Sequence, residues 1–302
     1  MKDVALIGAA SGWGAGFRAA QDGPRGLQAF GLAERLRAAG IEAHWAEMVT
    51  SEKDWRGAGE PSELERFDLV ARHAAALREA VERAIARRQF PLVIGGDHAV
   101  AIGTWGGVAH AMQGAALGLI WIDAHLDAHT PATSLSMNAH GMGAAVLLGE
   151  GAPAFLAVGG GAVRPANLCY IGVRSYEVGE WANLRRLGAT VFYMEDVERR
   201  GFAAVFEDAV RIATRGTQGF GISIDLDGFD PSEVPGVGLK VRGGLEGREV
   251  TAALRQIGAH PALRALEIVE YIPELDQGGR TARLVESLAT AALAPVAALS
   301  PA

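Results

Sequence analysis

Asp, His and Asp alternate in the stretch LIWIDAHLDAHTP, residues 119–131, which runs from apolar side chains into Asp123, His125 and Asp127 and then offers His129. Two other segments have the same character: PLVIGGDHAV carries Asp97 and His98, and GISIDLDGFDP carries Asp225, Asp227 and Asp230. In an extended chain residues i, i+2 and i+4 point the same way, so the spacing predicts one row of Asp123, His125 and Asp127 and another of Asp225 and Asp227. Carboxylates crowded at the ends of buried strands repel one another and lose hydration unless a cation sits among them. Four carboxylates and the two imidazoles of His98 and His125 are too many ligands for one tetrahedral zinc. They suit two ions of borderline hardness, such as Mn²⁺. Two such ions, on the order of 3.5–4 Å apart, would share a water and lower its pKa toward about 7. Any one of these aspartates could instead cap a helix or close a turn, and that is the reading for Asp97 and for Asp230, which precedes Pro231. Capping does not call for all six at this spacing.

Such residues need strand ends to hold them. Short apolar runs recur at VALIG near 4, PLVIGG near 91, GLIWID near 118, LCYIGV near 168, TVFYM near 190, FGISID near 220 and ALEIVEY near 265. Continuous hydrophobicity with β-branched residues predicts strands buried on both faces of a parallel sheet. Between them lie helical patterns, the longest over residues 61–89, with Leu64, Phe67, Val70, Ala71, Ala74, Leu77, Val81 and Ile85 near helical spacing. Alternating strands and helices imply an open three-layer sheet or a closed barrel. The open α/β sheet is favoured because the chemical residues come from only a few strand ends, and either fold puts the site at the carboxyl ends of its strands. Residues 150–168 are the most loop-like stretch, and their glycines lack the Lys followed by Ser or Thr of a phosphate loop. The GWGAG segment at 12–16 lacks the spacing of a dinucleotide fingerprint.

The 302 residues are expected to form one domain, 1–302. No apolar run approaches the roughly 20 residues of a membrane span, and the start is a poor secretory signal, so a soluble protein with no membrane partner is expected. A net charge of −7 argues against nucleic-acid binding, with Arg185 and Arg186 read as a solvated helix face. The single cysteine, Cys169, excludes an internal disulfide, suits a reducing cytoplasm and reads as a buried structural thiol. His44, His73, His110 and His260 read as structural or solvated, and the six tryptophans as packing groups.

The segments GGDHAV, DAHLD, SIDLDGFDP and IVEYIP are similar, in order, to the four signatures of the arginase and agmatinase family of ureohydrolases. The resemblance spans most of the chain. It implies a three-layer α/β/α sandwich around a mainly parallel sheet, assembled as trimers or hexamers, with two Mn²⁺ per subunit. One ion would be held by His98, Asp123, Asp127 and Asp225, the other by Asp123, His125, Asp225 and Asp227. The implied reaction is hydrolysis of a guanidinium to urea and an amine. Glu270 in IVEYIP matches the family glutamate that binds the guanidinium, His140 in NAHGMG matches the histidine that relays protons, and Asp127 completes the catalytic set.

Ser136 and Asn138 fall where arginases contact the substrate α-carboxylate, which favours L-arginine, giving L-ornithine and urea. Other positions depart from the arginase pattern. His129 stands where arginases commonly have an asparagine that also holds the carboxylate. Ser175 and Glu177 stand where two aspartates are usual near the α-amino end, although Glu177 could still pair with an ammonium. Leu239 and Lys240 replace a usual Thr-Pro. These changes keep agmatine or a guanidino acid open as the substrate. A non-enzymatic protein that kept the fold would be expected to have lost ligands, yet all six are present.

Overall fold

The computed structural model describes residues 3–51, 60–258 and 260–294. Seven of the apolar runs form strands: β1 (Val4–Ala10), β3 (Phe90–Gly95), β4 (Leu117–Ile122), β5 (Val163–Val173), β6 (Thr190–Tyr193), β7 (Gly219–Asp225) and β8 (Leu263–Val269). The remaining strand, β2 (Ala43–Thr50), was not expected from the sequence. It lies at the sheet edge, with Ala43 and Val49 buried and most of its other side chains at least partly exposed. An edge strand needs no continuous apolar run. The eight strands pair in parallel in the order β2-β1-β3-β8-β7-β4-β5-β6. The sheet is open, as favoured.

Alternate residues of each strand feed two cores. One face packs Leu6, Ile94, Ile120, Ile222, Ile224 and Ile268 with residues of helices Leu32–Ala38, Phe202–Thr214, Gly247–Ile257 and Arg280–Leu293. The other packs Ile7, Val93, Trp121, Tyr170 and Ala265 with residues of helices Glu63–Ala86 and Ala101–Ala111. Each fully buried large side chain contributes roughly 1.5–3 kcal/mol, which explains why these strands read as unbroken apolar runs.

Helix Glu63–Ala86 occupies most of the predicted 61–89 segment. Ser62 caps it, accepting from Glu65 N–H while the Glu65 carboxylate accepts from Ser62 N–H. Phe67, Val70, Ala74, Leu77 and Val81 are buried along it, but Leu64 is 81% exposed and leaves the predicted stripe. The stretch 150–168 is also less loop-like than its glycines suggest. Helix Pro153–Gly159 starts on the proline, a favourable first helical residue, and β5 begins at Val163. No helix among the described residues is long and apolar enough to cross a membrane.

Strand order brings the motifs together. β3, β8, β7, β4 and β5 are consecutive neighbours, so segments up to 172 residues apart end side by side at one edge of the sheet.

Candidate metal centre

The ligand spacing is produced by turns rather than by extended rows. β4 ends at Ile122, and Asp123 Oδ1 accepts from His125 N–H at 2.7 Å, folding the chain over within two residues. β7 ends at Asp225, whose Oδ1 accepts from Asp227 N–H at 2.8 Å as Leu226–Gly228 form a short 3₁₀ turn. An Asp that caps the amide two residues on sets the same i, i+2 spacing as a strand and bends the chain, which corrects the period-two expectation. Asp127 then adopts a left-handed φ of 47°, and its carbonyl accepts from Ala144 N–H at 2.9 Å. Glu270, immediately after β8, has φ 66° and donates its N–H to Gly96 at 2.8 Å. Non-glycine residues persist at positive φ when their surroundings fix them, and both of these carry side chains into the site.

His98 Nδ1 is the focus of the cluster. It lies 3.2 Å from Asp123 Oδ2, 3.0 Å from Asp127 Oδ2 and 3.1 Å from Asp225 Oδ2, yet hydrogen-bonds to none of them. A buried nitrogen facing three carboxylate oxygens, without hydrogen-bond geometry to any, is the arrangement expected where a cation belongs. His125 Nδ1 lies 3.4 Å from Asp123 Oδ1 and 3.2 Å from Asp227 Oδ2, and Asp227 Oδ1 is buried without a partner. These residues form two sets able to hold a metal: His98, Asp123, Asp127 and Asp225, and Asp123, His125 and Asp227. Asp123 is common to both.

Charge crowding is visible in the proton affinities. Burial raises the carboxyl pKa of Asp225 and Asp127, reinforced by neighbouring carboxylates. Burial opposes protonation of His125, but Asp227 and Asp123 overcome it and push the imidazole up to about 12. Without metal, protonated imidazoles thus supply the missing positive charge.

Above the cluster opens a cavity of about 280 Å³ lined by His129, Ser136, Asn138, His140, Ser175 and Glu177, together with metal-set residues. Leu239 also lines it; Lys240 does not. His129 belongs to this outer part. Its Nε2 lies 3.7 Å from both Glu177 and Glu180, and its Nδ1 contacts Thr133 Oγ1 at 3.1 Å. Deeper, Glu270 Oε1 accepts from His98 N–H at 3.0 Å and lies 3.4 Å from His140 Nδ1. Burial would lower the His140 pKa, but Glu270 overrides it and raises it to about 9. A larger cavity of about 390 Å³ lies at the opposite end of the sheet, where Phe90 and Leu263 begin their strands, and no carboxylate or imidazole lines it.

The arginase family model matches residues 2–294. An arginase of Bacillus caldovelox is 37% identical over 298 residues, covering 95% of this chain and 97% of that protein. Its solved native structure superposes with a TM-score of 0.89 at 35% identity, covering 98% of this chain and 99% of the other. An Entamoeba histolytica arginase solved in complex with L-ornithine has a TM-score of 0.88 at 26% identity, covering 98% and 99%.

The chain belongs to the arginase family.

It is accordingly a hydrolase acting on carbon–nitrogen bonds of linear amidines, with a metal-dependent site and a small guanidino substrate. Asp97 and Asp230 lie outside the two sets able to hold a metal. Asp97 caps Ala99 and also accepts from Gly14 N–H, and Asp230 accepts from the amides of Ser232, Gly243 and Gly244. Among the histidines read as structural, His73 contacts Val49 O and His260 caps Ala262. Cys169 is buried and free, and Arg186 pairs with Glu150.

Two residues that hold this arginase-family site together were not singled out from the sequence. Glu180 is buried and accepts from Glu177 N–H at 2.8 Å and Ala128 N–H at 3.3 Å, tying helix Val178–Leu187 to the loop after β4. Burial raises its carboxyl pKa to about 7. Its capping pair with Glu177, three residues apart, was readable. Arg174, just after β5, donates to the carbonyls of Gly172, Asp227, Gly228, Phe229, Val241 and Arg242 at 2.8–3.3 Å. A lone arginine after a strand carries no such signal in the sequence. Arg174→Met is expected to cost about 2–4 kcal/mol of stability, because charge-assisted donors leave several carbonyls unpaired. Denaturant unfolding measures this, and a midpoint equal to that of the parent would contradict it.

Proposed function

We propose that this chain hydrolyses L-arginine to L-ornithine and urea, using two Mn²⁺ per subunit. The observation that carries the reading is the pair of buried His/Asp sets sharing Asp123, with His98 Nδ1, which has no hydrogen-bond partner, aimed among three carboxylates. One ion would be held by His98, Asp123, Asp127 and Asp225, the other by Asp123, His125, Asp225 and Asp227. When bound, such a pair supplies Lewis acidity and brings the pKa of a water toward neutrality.

The side chains then have separate tasks. Glu270 commits Oε1 to His98 N–H and His140, leaving Oε2 to accept from the substrate guanidinium. That contact fixes the carbon to be attacked and offsets the desolvation of the cation. His140 is held by its own N–H to Gly14 O at 3.0 Å, with Nδ1 toward Glu270, so Nε2 is the atom left to pass a proton to the departing amine. A raised pKa keeps this imidazole charged at neutral pH, the form a proton donor needs.

The outer residues sort by charge preference. Arg66 donates to Asn138 Oδ1 at 3.4 Å, which turns the amide so that Nδ2 remains a donor. With the Ser136 hydroxyl it offers hydrogen bonds suited to a carboxylate. Across the cavity Glu177 and Glu180, with His129 between them, form an acceptor-rich corner suited to an ammonium. An α-amino acid satisfies both ends, whereas agmatine leaves Ser136 and Asn138 unused and a guanidino acid leaves the acidic corner unpaired.

Urea release from L-arginine, agmatine and a guanidino acid tests this on Mn²⁺-loaded protein. The highest kcat/KM is expected for L-arginine, with agmatine lower by roughly 10–100-fold for the lost pair of hydrogen bonds. Agmatine or the guanidino acid turning over faster would contradict the assignment. Assembly into trimers or hexamers and a cytoplasmic location belong to the same reading, and light scattering of the purified chain tests the first.

A further inference from the structure

Glu267 is fully buried in the middle of β8, and the metal sets and the cavity above them do not include it. Its Oε1 accepts from Ser223 Oγ at 2.7 Å and from Trp105 Nε1 at 3.0 Å, two neutral donors. Burying a carboxylate against neutral donors alone is costly, which asks what the charge does there.

The sheet register answers. Glu267 pairs with Ser223 across β8 and β7, and Ser223 pairs with Trp121 across β7 and β4, so the three side chains lie in one row on the same face. The His98 ring stacks on Trp121, centroids 4.1 Å apart at 17°, and its Nε2 meets Ser223 Oγ at 2.9 Å. Trp105 reaches the row because β7 has a glycine at 221, where a Cβ would sit 1.9 Å from the indole.

We propose that Glu267 is a positioning residue that acts through Ser223 to fix the tautomer of His98, turning the Nδ1 lone pair toward Asp123, Asp127 and Asp225. This rests on the metal-centre reading above. The indole N–H can only donate, so it keeps Glu267 Oε1 an acceptor. The Ser223 hydroxyl therefore gives its proton to Glu267 and has only lone pairs left for His98, so Nε2 must carry the imidazole proton and donate it. Nδ1 is then the free ligand atom, as in other sites where a carboxylate orients a metal-binding histidine. The device serves the His98 set and not the His125 set, which predicts an asymmetric effect.

Calorimetric titration of chelator-stripped, full-length protein with Mn²⁺ tests it. The parent is expected to bind two ions. Glu267→Met and Ser223→Ala should each weaken one of the two by about 10–100-fold and leave the other within about threefold, whereas Glu267→Gln, whose amide oxygen can still accept from Ser223 and Trp105, should bind both ions close to the parent. The double variant of Glu267→Met and Ser223→Ala should be no worse than the weaker single one, since both cut the same relay. Metal-free Glu267→Gln should melt no lower than the parent, because the substitution removes a buried charge. Unchanged affinities in Glu267→Met or Ser223→Ala, equal loss at both ions, additive losses, or a lowered metal-free melting temperature of Glu267→Gln would each overturn the relay alone. A parent that takes up no Mn²⁺ would overturn the metal-centre reading and the relay with it.

Discussion

Asp127→Asn is expected to lower kcat on L-arginine by on the order of a thousandfold while leaving the fold intact. Asparagine is the informative replacement because Asp127 sits at φ 47°, a conformation that asparagine tolerates and that would strain alanine. The substitution removes one of the three carboxylates facing His98 Nδ1 and leaves the carbonyl bond to Ala144 in place. Stability should move the opposite way in metal-free protein. Burial and Asp123 raise the Asp127 pKa, so its ionisation opposes folding; that cost is absent well below the ordinary carboxylate range and present at neutral pH. Asparagine carries no such cost, so the metal-free variant should melt above the metal-free parent at pH 7. Near-parental activity would refute Asp127 as a ligand, and a melting temperature lowered in both states would mark its role as structural.

Glu270→Gln is expected to reduce kcat/KM for L-arginine by about 10²–10³-fold. A charge-assisted contact to the substrate contributes about 1.5–3 kcal/mol, and loss of orientation at the reacting carbon adds to it. The change should also reach His140, whose pKa of about 9 depends chiefly on Glu270 overcoming burial. A group that must be protonated to donate loses its function as pH rises through its pKa. The alkaline limb of the activity profile should therefore move to lower pH in the variant. Steady-state kinetics across pH would measure both effects, and a profile and kcat/KM within about threefold of the parent would contradict the assigned role.

The candidate ligand set was legible because its members fall in three short segments, at residues 98, 123–127 and 225–227, and are of unusual type for strand ends. The geometric reason differs from the expected one. Asp123 and Asp225 each cap the amide two residues on, so a turn and a strand give the same spacing and the sequence alone cannot separate them. Sheet order was beyond reach, because nothing local says that β8 inserts between β3 and β7. The residues not singled out share that property. Arg174 acts on carbonyls 53–68 residues away in most of its contacts, and Glu267 acts on Ser223, 44 residues away, so each looks like an ordinary charged residue until the fold closes. Trp105 packs in the core, as its residue type suggests, and also donates to Glu267. His129, which extends the Asp123, His125, Asp127 spacing by one more step, belongs to neither metal-holding set; its partners are Thr133, Glu177 and Glu180.

Stripped protein titrated with Mn²⁺, with bound ion and urea release from L-arginine measured on the same samples, tests the central claim most directly. Activity should be negligible without metal and reach its plateau at two ions per chain. Full activity after stripping, or a plateau at a single ion, would contradict a dinuclear arginine-hydrolysing site.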